Sequence, residues 1–218
     1  MHHYSIFNLK YVIHLLFIIN TFNKYNKYLM PFEFEKLGLA GLTLITPKVF
    51  EDTRGSFMET FESELFEKKG INFKIAQSNS SNSKKDVLRG LHFQRQPYEQ
   101  AKLVRCIKGA VLDCAVDIRK GSTTFGKHVL VELSEINKKS LYIPRGFAHG
   151  FLVLSDSAEF SYDVDNIYSK DHEGGIIWND KDLNIKWPVS SPILSEKDKA
   201  LPTLSKVFSD NKNSYDKS

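Results

Sequence analysis

From Leu39 onward the chain breaks into short apolar or alternating runs separated by Gly, Pro, Asn and Ser, which is the punctuation of strands and turns. Residues 42–45, 55–61, 102–106, 110–118, 128–133, 140–143, 150–154 and 158–164 read as strands. Many strands at this spacing predict an all-β sandwich or barrel. Neighbouring side chains in a strand point to opposite faces, so each run also predicts who faces whom. Across 110–118 one face carries Leu112, Cys114, Val116 and Ile118, and the other Val111, Asp113, Ala115 and Asp117. Across 158–164 the apolar face is Phe160, Tyr162 and Val164, which turns the Tyr162 ring inward. Helical signal is confined to residues 63–69 and to 195–199, where Ser195 is placed to cap. The chain past Pro202 turns polar and is expected to fray.

With 218 residues, 41% of them hydrophobic, the chain can bury one sizeable core. The expected organisation is one domain over 30–205, a polar tail over 206–218 and an N-terminal extension over 1–29. The apolar run from Val12 to Ile19 is too short to span a bilayer, and no small-residue cleavage site follows it. The segment up to Leu29 is biased to Asn, Lys, Tyr, Ile and Phe, so Met30 is the expected start of the folded protein. A formal charge of +4 without a dense basic block argues against nucleic acid and for a small-molecule partner, and no membrane association is expected. Cys106 and Cys114 are too few for a disulfide framework or a zinc site and read as buried thiols of a cytoplasmic protein.

Two histidine segments stand out, Val87 to Gln94 with His92 and Tyr142 to Gly150 with His149. The second contains Pro144-x-Gly146-x-x-His149, which resembles the turn that delivers a histidine into the mouth of cupin barrels. A metal cupin is one reading, because His92, Gln94, Glu99 and His149 can be laid on first-row metal ligands. Against it, Glu99 falls in loop sequence, and Lys102 shares a strand face with Val104 and Cys106. An ammonium aimed into the cavity repels a divalent cation, so no metal is expected, and chemistry made only of proton transfers requires no redox cofactor.

An inward histidine, lysine and tyrosine suit proton transfer beside a ketone. Removing an α-proton builds charge on the carbonyl oxygen, which calls for a base and a cation. His92 fits the first role and Lys102 the second, while Tyr162 can return a proton to the opposite face. Arg54 and Arg89, each followed by a glycine, are candidates to hold a diphosphate.

These segments, with Pro47 to Gly55, Ala115 to Lys120 and Ile177 to Asp180, resemble the dTDP-4-dehydrorhamnose 3,5-epimerase family from about Leu42 to Pro202. The resemblance implies a cupin-type jelly-roll β-barrel with a few short helices, forming a metal-free homodimer that acts on dTDP-4-dehydro-6-deoxy-D-glucose. By residue matching it makes His92 the proton acceptor, Tyr162 the proton donor and Asp198 the carboxylate paired with the histidine. Lys102 and His149 become sugar contacts. Arg54, Glu59, Gln77, Ser78, Asn79, Arg89, Glu173 and Lys197 become nucleotide-sugar contacts, and Tyr168 stacks on the base. The chain departs from the family at Asp163, where lysine is common, and at Ile167, where a second aromatic is common. Alternation places Asp163 on the face away from Tyr162. The alternatives are a relative that inverts one carbon only, a metal-dependent cupin oxygenase, and a sugar-nucleotide-binding cupin without activity.

Overall fold

The computed structural model describes residues 31–209. The expected start at Met30 and the extension before it lie outside the described residues. In chain order the elements are β1 (Phe32–Lys36), β2 (Thr43–Pro47), β3 (Val49–Asp52), β4 (Gly55–Met58), α1 (Ser63–Lys68), β5 (Gln77–Lys84) and β6 (Leu88–Gln94). There follow β7 (Lys102–Lys108), β8 (Ala110–Asp117), β9 (His128–Ser134), β10 (Ser140–Ile143), β11 (Phe147–Val153), β12 (Ser157–Val164), β13 (Glu173–Gly175), α2 (Glu196–Lys199) and α3 (Leu204–Ser209).

A six-stranded sheet, β1-β2-β10-β7-β12-β5, faces a five-stranded sheet, β13-β6-β11-β8-β9, and β3 with β4 forms a separate hairpin. Every strand pairing is antiparallel. This is the jelly roll expected from the sequence. Between the sheets, Val104, Val111, Ala115, Leu141, Phe147, Phe151 and Phe160 close one end of the barrel.

Both outer faces are covered as well, which is why so many strands lack a polar side. Outside the five-stranded sheet, Leu91, Phe93, Cys114, Val116 and Ile118 are buried under Ile176, Leu183, Leu204 and Val207. Outside the six-stranded sheet, Ile45, Leu103 and Tyr142 pack on Phe66, Ile71 and Phe73. The mixed face of β8 is therefore the inner one, and it carries Asp113 into the barrel.

The chain does not fray directly after Pro202. Leu204 and Val207 lie three apart on α3 and are both buried, an apolar stripe that the polar composition around it hides. Asp180 caps this junction, accepting backbone hydrogen bonds from Asp182 and Leu183 at 2.9 Å and from Leu204 at 2.7 Å. Ser195 caps α2 as expected, its hydroxyl accepting from the Asp198 N–H.

Candidate active site

The two sheets part at one end to leave a cavity of about 430 Å³, lined by Arg89, His92, Lys102, His149, Tyr162, Glu173, Lys197 and Asp198 among others. A second lobe of about 290 Å³ shares His92, Lys102, Tyr162 and Glu173 and adds Gln77, Asn79 and Tyr168. Cavities of this size suit small organic ligands.

Each wall comes from one sheet. His92 on β6 and His149 on β11 are cross-strand partners in the five-stranded sheet. Opposite them, Tyr162 on β12 and Lys102 on β7 belong to the six-stranded sheet, where Val164, two residues on from Tyr162, pairs with Lys102. The alternation that turns Phe160 and Tyr162 inward thus holds, and Asp163 faces out, where its carboxylate accepts from the Ser78 hydroxyl.

His92 Nε2 lies 2.6 Å from Asp198 Oδ1, and the His92 side chain is 27% exposed while that of Asp198 is 4% exposed. Burial pushes the Asp198 carboxyl up, but the His92 hydrogen bond and charge, the Ser195 cap and Lys197 outweigh it and hold the group below its ordinary value. An ionised carboxylate at this distance fixes the orientation of the imidazole ring. A second pair stands beside it, His149 Nε2 at 2.8 Å from Asp113 Oδ2. Burial lowers His149 despite that carboxyl, so the ring is neutral near pH 7. Asp113 is a site residue that the sequence did not single out. The signal was a carboxyl between Val111 and Ala115 on a strand whose two faces are otherwise apolar up to Asp117.

Burial also drives Lys102 down to about 8, against the pull of Asp113 and Glu173. Its ammonium is therefore easily tuned by a bound charge. Burial raises Tyr162 in the opposite sense, outweighing Arg89 and Lys197, which keeps its hydroxyl protonated and able to donate. At the rim, Lys197 donates to Glu173 at 2.7 Å, and the exposed Tyr168 hydroxyl donates to the same carboxylate at 3.2 Å. Arg89 is held by a bond from Nε to Ser83 Oγ at 3.0 Å. The glycine that follows Arg89, Gly90, is part of a strand. It sits within β6, where a Cβ would meet Gly150 Cα at 2.6 Å, so its bare backbone lets β6 close on β11.

Three of the expected binding residues do not line either lobe. Ser78 points outward, Glu59 is exposed beyond β4, and Arg54 sits at the tip of the β3–β4 hairpin, 88% exposed and paired with Asp52. The residues laid on metal ligands do not converge either. His92 and His149 each turn Nε2 to a carboxyl, Gln94 Oε1 accepts from the Ser169 N–H, and among the described residues no group of three or more His, Cys, Asp or Glu could hold an ion.

A cavity so built can take a proton from one face of a carbon and return one from the other. Together with the jelly roll this defines the class, an acid–base isomerase. The chain matches the family model described as dTDP-4-dehydrorhamnose 3,5-epimerase over residues 36–206, and it belongs to that family. It is 56% identical over 164 residues to the dTDP-4-dehydrorhamnose 3,5-epimerase of Shigella flexneri, covering 75% of this chain and 91% of the relative. The crystal structure of the Elizabethkingia anophelis enzyme of that name superposes with a TM-score of 0.78 at 47% identity, covering 81% of this chain and 98% of the other. The Legionella pneumophila dTDP-6-deoxy-D-glucose-3,5-epimerase, solved with dTDP-4-keto-L-rhamnose, gives a TM-score of 0.79 at 43% identity, covering 82% and 95%.

Proposed function

We propose that this protein inverts C3 and C5 of dTDP-4-dehydro-6-deoxy-D-glucose to give dTDP-4-dehydro-L-rhamnose, without a metal or redox cofactor. The observation that carries the reading is the placement of His92 and Tyr162 on opposite walls of one cavity, with Lys102 between the sheets. In each half-reaction His92 takes the proton from the carbon α to the C4 ketone, the electron pair moves onto the oxygen, and Lys102 holds the enolate. Tyr162 then delivers a proton to the opposite face, and solvent resets both groups. Asp198 orients the base. Because Tyr162 is protonated and Asp198 ionised, each starts the cycle in the form its role requires.

Incubation with the keto-sugar nucleotide in deuterated water is the test. Two exchanged positions are expected by NMR, with no stoichiometric iron, manganese or zinc in the active protein. One exchanged position would make it a mono-epimerase, none a binding protein, and a stoichiometric metal would end the metal-free mechanism.

The same reading includes a homodimer. Family matching makes Arg54 and Glu59 nucleotide-sugar contacts, yet in one chain both lie away from the cavity, on or just after a hairpin that exposes Phe50 and Phe57. A second copy bringing its hairpin to the cavity reconciles the two. Arg54→Ala is then expected to raise KM about tenfold. Mixing it with the inactive His92→Ala protein should regain activity, since the hybrid pairs an intact cavity with an intact hairpin; no regain would place Arg54 elsewhere. The buried free thiols of Cys106 and Cys114 support a cytoplasmic location, and among the described residues no helix is long and apolar enough to cross a membrane.

A further inference from the structure

Asp198 reaches His92 across 106 positions of sequence, and it does so from a segment that belongs to neither sheet. Residues 193–204 form a strap over the open end of the barrel. Its first anchor is the pairing of Ile193 with Val87, where the Ile193 N–H donates to Asp86 O at 2.8 Å and Ile193 O accepts from the Leu88 N–H at 3.0 Å. Its second anchor is at the far end, where Pro202 O accepts from the Ile177 N–H at 2.8 Å and Asp180 Oδ2 from the Leu204 N–H at 2.7 Å. Between the anchors, Leu201 lies on Gly175, whose β13 position pairs with His92 itself. A Cβ on Gly175 would stand 2.6 and 2.8 Å from the Leu201 methyls and 2.9 Å from Leu91 O, so the bare Gly175 makes the room in which the Leu201 side chain of the strap sits against β6.

We infer that Asp180 is a positioning residue for the epimerisation, fixing the strap so that Asp198 meets His92, and that the bare Gly175 is the seat on which the strap rests. The inference rests on the proposed roles of His92 and Asp198. Asp180 itself is 3% exposed and touches no cavity-lining atom in its hydrogen bonds. Its effect on catalysis runs through the backbone of Leu204 and Pro202 to α2.

Asp180→Asn removes one acceptor and spares most of the cap, because an amide oxygen can still receive Asp182 and Leu183 while its NH₂ cannot receive Leu204. The expected result is a kcat about tenfold lower with KM changed far less. Combined with Asp198→Asn, it should add nothing beyond the loss of Asp198→Asn alone, since both act on one contact. A purely structural Asp180 would lower the melting temperature, leave kcat per folded molecule within twofold and multiply with Asp198→Asn, and that pattern overturns the inference. Gly175→Ala is the second variant, lifting the strap from its seat with the same expected loss and the same non-additivity. Should Asp180→Asn not fold, Gly175→Ala decides alone by these criteria. Full activity in Asp198→Asn would instead refute the site reading itself.

Discussion

His92→Ala is expected to lower kcat at least a thousandfold, the upper part of the range for losing a positioned general base, with KM altered only a few-fold. The reason lies in the two-walled cavity. With the imidazole gone, the wall formed by β6 and β11 offers His149 in its place, but that ring is buried, turned to Asp113 and aligned with its own neighbours. Deuterium exchange into the substrate should therefore stop along with turnover. Tyr162→Phe should behave differently, because the base, the lysine and the enolate site are all intact. Exchange from the His92 side is expected to persist while inverted product stops accumulating. Equal loss of exchange in both variants would contradict the placement of base and acid on separate walls, and full activity in either would remove that residue from the mechanism.

The proposed division of labour was only partly legible in the chain. Strands buried on both faces still show their length and β-branched content, so the runs at 140–143 and 110–118 emerge as β10 and β8 nearly residue for residue. The inward turn of Tyr162 and Lys102 followed from alternation alone. β5 did not emerge, because Gln77–Lys84 reads as a polar loop. Its inward residues line a polar cavity and its outward ones meet solvent, so no hydrophobic period marks it, and pairing with β12 is what makes it a strand. Asp198 was reachable only by family likeness, since a carboxylate on a four-residue helix near the C-terminus carries no local sign that it will be buried against a histidine from β6. Arg54 shows the limit from the other side. Resemblance assigned it to the ligand, and the geometry of one chain sets it at the end of a free hairpin.

On the proposed mechanism Lys102 ties the chemistry to pH. Lys102→Met keeps much of the length and apolar volume of the side chain but removes the charge facing the enolate, and kcat is expected to fall by a few hundredfold or more, roughly the loss of one strong oxyanion donor. The unmodified protein should show the same dependence as it titrates. In the free enzyme Lys102 loses its proton near 8, so kcat/KM is expected to decline as pH rises through that value. A bound diphosphate sugar brings negative charge that favours the ammonium, so the corresponding limb of kcat should lie at higher pH. Lys102→Arg, if active, should lose the limb, because guanidinium stays charged throughout; a limb unmoved in that variant would assign it to another group. Stability runs the other way. The unfolded lysine titrates near its ordinary 10.5, so between about 8 and 10.5 the unfolded chain holds the proton that the folded one has released, and the Lys102 contribution to stability rises with pH across that window. Chemical denaturation of the unmodified protein and Lys102→Met at pH 7 and 10 measures it, the gap between them narrowing at the higher pH. On the proposed mechanism the ammonium that faces the enolate is thus held in the fold at a cost to stability below pH 8, and the conditions that relieve the cost also remove its charge.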